Sequence, residues 1–239
     1  MRKFLYLILI LVLLFPHLVL AADVEEPFTG YSASLEGENG GTGWGNAWQD
    51  GPRTADFQVE TIACDSGDCV EADATTSDYG DDRDYTTAIV NGTISFKANQ
   101  VVDNSTMEIL FKKTDDTALF EIAFIRNGSP SNASKVLLIA GTNATLGDTA
   151  LATWQLVEIE TEAAGTCAAN EVRARLDGGT WSSCLAYSNT GDVQQLEILR
   201  DYSGAAGGIS QFDTFLSSVF VATTGAVIRP APLWTKMRF

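Results

Sequence analysis

The sequence predicts an all-β chain, an antiparallel sandwich or barrel, on three observations. Apolar residues recur in short, partly alternating runs rich in β-branched and aromatic side chains. Asn-Gly, Asp-Gly, Gly-Ser-Pro and Gly-Thr-Asn turn material separates the runs. Beyond residue 21 no segment carries a sustained 3.6-residue apolar stripe with caps. About ten strands with hardly any helix fit two packed antiparallel sheets or a closed barrel.

The chain opens with MRKFLYLILILVLLFPHLVLA, in which Arg2 and Lys3 precede an apolar run from Phe4 to Phe15 and Val19-Leu20-Ala21 closes the segment. This is the three-part layout of a secretory signal peptide, assigned to residues 1–21. A membrane anchor is the alternative, but Pro16 and His17 interrupt the run before the ~20 residues a spanning helix needs. Removing the leader takes away two cations and no acid, so the charge of −16 becomes −18. It also removes His17, the only histidine. The exported chain then has no imidazole for Ser-His-Asp or Cys-His catalysis, or for a His-containing zinc site. It has no second apolar run long enough to span a bilayer, and 31 Asp+Glu against 15 Lys+Arg argues against a nucleic-acid partner.

Nine segments read as strands: Phe57–Ile62, Thr93–Lys97, Met107–Phe111, Leu119–Ile125, Lys135–Ile139, Trp154–Glu160, Val172–Leu176, Val193–Arg200 and Phe212–Val221. The segment from Glu171 turns at Asp177-Gly178-Gly179 and returns past Trp181. Arg173 and Arg175 share one face of their strand, and Glu158, Glu160 and Glu162 share one face of the predicted neighbour, so opposite charges are placed to pair.

Four cysteines, at 64, 69, 167 and 184, read as two disulfides in an oxidising compartment. Three pairings are possible, and proximity favours Cys64–Cys69 with Cys167–Cys184. The second closes a loop worth roughly 3 kcal/mol on the chain-entropy account. Zinc is the alternative, and these spacings without histidine match it poorly.

Trp154-Gln-Leu-Val-Glu-Ile, then Val172-x-Ala-x-Leu-Asp177-Gly178 with Trp181, then Leu196-Glu-Ile-Leu199 and Ile209 through Phe212-Asp213 to Phe220-Val221, resemble the closing strands of concanavalin A-like, laminin-G-type jelly rolls. Phe28-Thr-Gly-Tyr31 and Gly40-Gly-Thr-Gly-Trp44-Gly-Asn-Ala-Trp48 are similar to the start of secreted proteins of that superfamily. The resemblance implies a two-sheet antiparallel jelly-roll sandwich, assigned to residues 22–225, and the charge of the remaining residues reads as a basic strand or tail at 226–239. It implies glycan or protein ligands on a concave face or rim loops, and no particular activity, because this fold hosts lectins, glycosidases and adhesion modules.

Candidate sites follow. Residues 56–84 contain ten acids and one cation, and the acidic loop read there offers Asp78, Asp81, Asp82 and Asp84 as hard oxygen ligands for calcium. Trp44 and Trp48 flank a glycine-rich segment where a glycan can stack, or plug one end of the sandwich; Trp154 and Trp181 are expected in the core. Glu158 and Glu162 are the carboxylates that a glycosidase of the family-sixteen type would use, at spacings of roughly 6.5–7 Å between i and i+2 positions. Sequons begin at Asn91, Asn104, Asn127, Asn132 and Asn143. After Asp213 there is no acid, and Arg229, Lys236 and Arg238 make the end of the chain basic.

These readings together give a secreted, non-catalytic glycan-binding or adhesive surface module, whose partner is a glycan or cell-surface component. The competing expectations are an extracellular structural protein that forms oligomers or filaments by strand addition through 226–239, and a glycoside hydrolase.

Overall fold

A computed structural model of the chain describes residues 24–51, 55–61, 64–72, 77–101, 105–126, 133–162, 166–202 and 210–219. The leader at 1–21, the segment 226–239 and the sequons at Asn104, Asn127 and Asn132 lie outside the described residues.

The elements are β1 (Val24–Glu26), β2 (Gln49–Asp50), β3 (Gln58–Glu60), β4 (Cys69–Ala72) and β5 (Tyr79–Ile89). They continue with β6 (Gly92–Gln100), β7 (Ser105–Lys112), β8 (Ala118–Arg126), β9 (Ala133–Ile139) and β10 (Asn143–Ala150). The last five are β11 (Gln155–Thr161), β12 (Glu171–Leu176), β13 (Leu185–Ala186), β14 (Val193–Tyr202) and β15 (Ser210–Val219). No helix occurs among the described residues, so none is long and apolar enough to cross a membrane.

Two sheets form a jelly-roll sandwich. The eight-stranded sheet runs β13-β12-β11-β6-β15-β4-β3, with β1 also on β15, and the seven-stranded sheet runs β10-β9-β8-β7-β14-β5-β2. Every pairing between named strands is antiparallel. The alternation that identifies the strands also builds the core. Ile94, Phe96, Val157, Ile159, Phe212 and Phe215 of one sheet are buried with Ile109, Phe111, Phe120, Ile122, Leu196 and Ile198 of the other. Phe111 reaches Phe120 at 4.6 Å and Phe215 of the opposite sheet at 6.5 Å between ring centres. Burying one such side chain is worth about 1.5–3 kcal/mol.

All nine expected strands overlap an observed one. Both disulfides have the pairing that proximity favours, Cys64–Cys69 and Cys167–Cys184, so no cysteine is free for zinc. The second joins the turn before β12 to the segment after it. Two long strands escape the periodicity. Tyr-Gly-Asp-Asp-Arg-Asp-Tyr, expected as part of an acidic loop, is the start of β5, and Asn-Ala-Thr-Leu-Gly-Asp-Thr-Ala is β10. Asp, Asn and Gly are depleted in strands generally, which hides both.

Candidate functional site

A cleft of about 500 Å³ opens on the outward face of the seven-stranded sheet. It is lined by Asp82, Leu110, Lys112, Asp116, Glu197 and Leu199, with Asp50 and Gly51 at its rim. The sheet places these side chains by alternation. On β14 the residues Leu196 and Ile198 enter the core, which turns Gln195, Glu197 and Leu199 outward. Met107, Ile109 and Phe111 do the same on β7, leaving Leu110 and Lys112 outside. Register then brings the outward residues together: Glu197 lies opposite Asp82 on β5 and opposite Leu110 on β7. Gly51 sits where a Cβ would come within 2.8 Å of the Gly80 backbone, so only glycine lets the rim close this tightly on β5.

The cleft is polar and its floor is buried. Asp82, Lys112, Gln195 and Glu197 are buried although they point away from the core. Lys112 Nζ donates to Glu197 Oε2 at 2.7 Å and reaches Asp116 at 3.1 Å across the following turn. Burial opposes the charge on Lys112, but these two carboxylates outweigh it and hold the ammonium above its ordinary range. Burial pushes the Asp82 carboxyl up to about 6; Lys112 lowers it, and Glu197, Asp116 and Asp84 raise it further. Glu197 Oε1 and Gln195 Oε1 are buried without a hydrogen-bond partner. The cleft therefore offers a protonatable carboxyl, an ammonium, further carboxylates and two leucine surfaces.

The sequence-predicted ligands sit differently. Asp78 precedes β5, and Asp81, Asp82 and Asp84 are on it. Alternation sends Asp81 to one face with Tyr79 and Arg83, and Asp82 and Asp84 to the other, so the four do not converge on one point. Asp84 is tied to Asn46 by two hydrogen bonds, Asn46 Nδ2 donating to its carboxylate at 3.1 Å and its own N–H donating to Asn46 Oδ1 at 2.9 Å.

Trp48 is in the core at 1 % exposure, and Trp44 stacks on Tyr85 at 4.9 Å. Against both the Trp44 and Trp48 rings, at 4.9 and 5.9 Å from their centres, lies the buried guanidinium of Arg83. Arg83 is paired with buried Glu26 and donates to Asn46 O, Asn39 Oδ1 and Gly40 O. Glu26 also accepts from Trp48 Nε1 at 3.1 Å and from the Tyr31 hydroxyl at 2.9 Å. These tryptophans close one end of the sandwich and give a ligand no stacking platform at Trp48. Gly41, at φ +70° with Glu25 O only 2.2 Å from where a Cβ would stand, lets this plug fold back.

Glu158 and Glu160 lie opposite Arg175 and Arg173 and pair with them at 2.7 and 2.5 Å, as the shared faces predict. Glu162 does not continue the row. β11 ends at Thr161, Glu162 turns to φ +46°, and its carboxylate accepts the Asn170 N–H at 2.7 Å. Trp181, expected in the core, covers Arg173 and Arg175 at 4.8 and 4.5 Å on the sheet's outer side. Asn143 is exposed at the start of β10, and Asn91 is half-buried in the turn between β5 and β6.

Sequence reasoning missed Lys112, Glu197, Leu110 and Leu199. The one signal available was their outward position in two alternating strands, and only register shows that they meet.

The architecture is a two-sheet antiparallel β-sandwich of jelly-roll type with an open polar cleft on one sheet. No family model matches the chain, and no curated protein matches it in sequence. Its fold is similar to part of a sialidase, with a TM-score of 0.57 at 11 % identity over 84 % of this chain and 19 % of that one. It is also similar to a botulinum neurotoxin serotype D binding domain, with a TM-score of 0.52 at 9 % identity over 83 % of this chain and 48 % of that one. A carbohydrate binding module from Bacillus subtilis aligns with a TM-score of 0.40 at 9 % identity, over 72 % of this chain and 94 % of its own. The chain thus spans about a fifth of the sialidase and about half of the toxin chain.

Proposed function

We propose that the chain is a secreted, concanavalin A-like, non-catalytic module that binds a glycan in the Asp82–Lys112–Glu197 cleft and so attaches to a cell-surface component. The observation that carries this reading is the preformed cleft itself, in which the Lys112 ammonium and the Asp82, Asp116 and Glu197 carboxyl groups stand beside the Leu110 and Leu199 surfaces. A sugar presents hydroxyl donors and acceptors at short, fixed spacing. Its hydroxyls would donate to the cleft carboxylates and accept from Lys112, and its apolar face would lie on Leu110 and Leu199. The two disulfides suit an exported protein.

A glycan array probed with residues 22–239 tests the reading. The wild type is expected to bind a defined set of glycans, Glu197→Gln to lose them, and Glu160→Gln on the other sheet to keep them. Mass spectrometry of the bound glycans is expected to find them uncleaved. Equal binding by Glu197→Gln and wild type, or no glycan retained by either, would overturn it.

A further inference from the structure

Away from the cleft, three short segments each end in a carboxylate beside a buried anchor. Glu36 follows Leu35, Asp56 precedes Phe57, and Asp50 ends β2 two residues after Trp48; all three anchors are essentially inaccessible. Leu35 N–H donates to Phe57 O and Gly37 N–H to Trp48 O, both at 2.8 Å, which locks the segments side by side. As a result one carboxylate oxygen each from Glu36, Asp50 and Asp56 lies within 4.8 Å of the other two. Among the described residues no Lys or Arg pairs with any of them.

A fourth carboxylate lies beside this group. Asp81 is fully buried and lies opposite Asp50 in the β2–β5 register, so the two side chains share a face. Its Oδ2 accepts the Phe57 N–H at 2.7 Å, next to Asp56, while its Oδ1 is buried with no partner. A buried carboxylate oxygen without a donor is costly, and a bound cation removes that cost.

We infer that Glu36, Asp50, Asp56 and Asp81 form a calcium site at the β2–β5 edge of the sandwich. All four donors are hard oxygens, as Ca²⁺ requires. At Ca–O distances of 2.3–2.6 Å, oxygens on opposite sides of one ion lie about 5 Å apart, which matches the spread of the Glu36, Asp50 and Asp56 oxygens. The site shares only Asp81 with the set Asp78, Asp81, Asp82 and Asp84 expected from the sequence, and it meets the glycan cleft only at Asp50, on that cleft's rim.

Titration calorimetry of CaCl₂ into chelator-treated residues 22–239 tests the inference, with the melting temperature followed in parallel. The expected result is a one-site binding heat and a higher melting temperature with calcium. Glu36→Gln, on an exposed side chain that leaves the fold intact, is expected to weaken binding about tenfold or more. Asp56→Asn is expected to do the same, whereas Asp84→Asn and Glu197→Gln keep the wild-type heat. No heat and no melting shift in the wild type would overturn the site. So would a heat that survives Glu36→Gln but disappears in Asp84→Asn.

Discussion

The outward faces of the two sheets are built from the same residue types and reach opposite electrostatic outcomes. On the eight-stranded sheet Glu158 faces Arg175 and Glu160 faces Arg173, one carboxylate to one guanidinium, with Trp181 lying over both cations. On the seven-stranded sheet Glu197 faces Asp82, carboxylate against carboxylate, and Lys112 reaches them only diagonally. The first face is partly exposed and its charges cancel. The second is buried, with more acceptors than donors. What makes a polar strand face inert or ready for a ligand is thus the residue that register sets opposite, more than the composition of either strand.

The largest effect expected from this contrast is at Lys112. Replacing it by methionine leaves Glu197 buried beside Asp82 with no cation, and removing one partner of a buried pair destabilises by about 3–5 kcal/mol. Urea unfolding of Lys112→Met is expected to show a loss of that order, and the double variant Lys112→Met/Glu197→Gln is expected to recover most of it. A single variant within about 1 kcal/mol of wild type would show that the cleft is as well solvated as the opposite face.

The contrast also explains which parts of the molecule are legible in the sequence. Leu119-Phe-Glu-Ile-Ala-Phe-Ile125 announces β8 because one of its faces is apolar and the other mixed. β5 does not announce itself, because both of its faces carry charge. Asp81 and Arg83 point inward, where Phe57 N–H and Glu26 receive them, and Asp82 points into the cleft. Alternation of polarity fails as a signal wherever buried positions are polar and partnered by distant segments, here 24 residues away for Asp81 and 57 for Arg83. The Arg173 and Arg175 ladder was readable because both partners lie in adjacent strands with a short connection. The cleft was not, because β5, β7 and β14 meet through pairings between residues more than eighty positions apart. For Trp44 and Trp48 the sequence leaves stacking and packing equally open, because the Arg83 guanidinium that lies against both rings comes from a strand about forty residues further along.

A smaller effect is expected from pH, measured in chelator so that no cation intervenes. Asp82 titrates near 6 in the folded protein and near 4 when unfolded, chiefly because folding buries it. Below about pH 4 the group is protonated in both states and contributes nothing. Between about 4 and 6 only the folded state keeps the proton, so its contribution to stability falls as pH rises, by about 2–3 kcal/mol in all by neutral pH. Asp82→Asn is expected to gain stability over wild type across that window and to match it at pH 4. A constant difference at every pH would mean that the buried carboxyl is not the source.

The smallest effect is expected on the balanced face, and it is what sharpens the comparison most. Arg173 and Glu160 are each about one-fifth exposed, and their pair lies under Trp181. Part of its attraction is screened by water, so Arg173→Ala is expected to cost about 1 kcal/mol or less. Glu160 then faces solvent instead of a buried like charge, and Trp181 keeps its contact with Arg175 at 4.5 Å. A double-mutant cycle on Arg173 and Glu160 by urea unfolding isolates the pair from the stacking. A coupling energy near that of the Lys112–Glu197 pair would mean that Trp181 excludes water from the ladder. The two faces would then differ in sign of charge balance alone, and burial would no longer distinguish them.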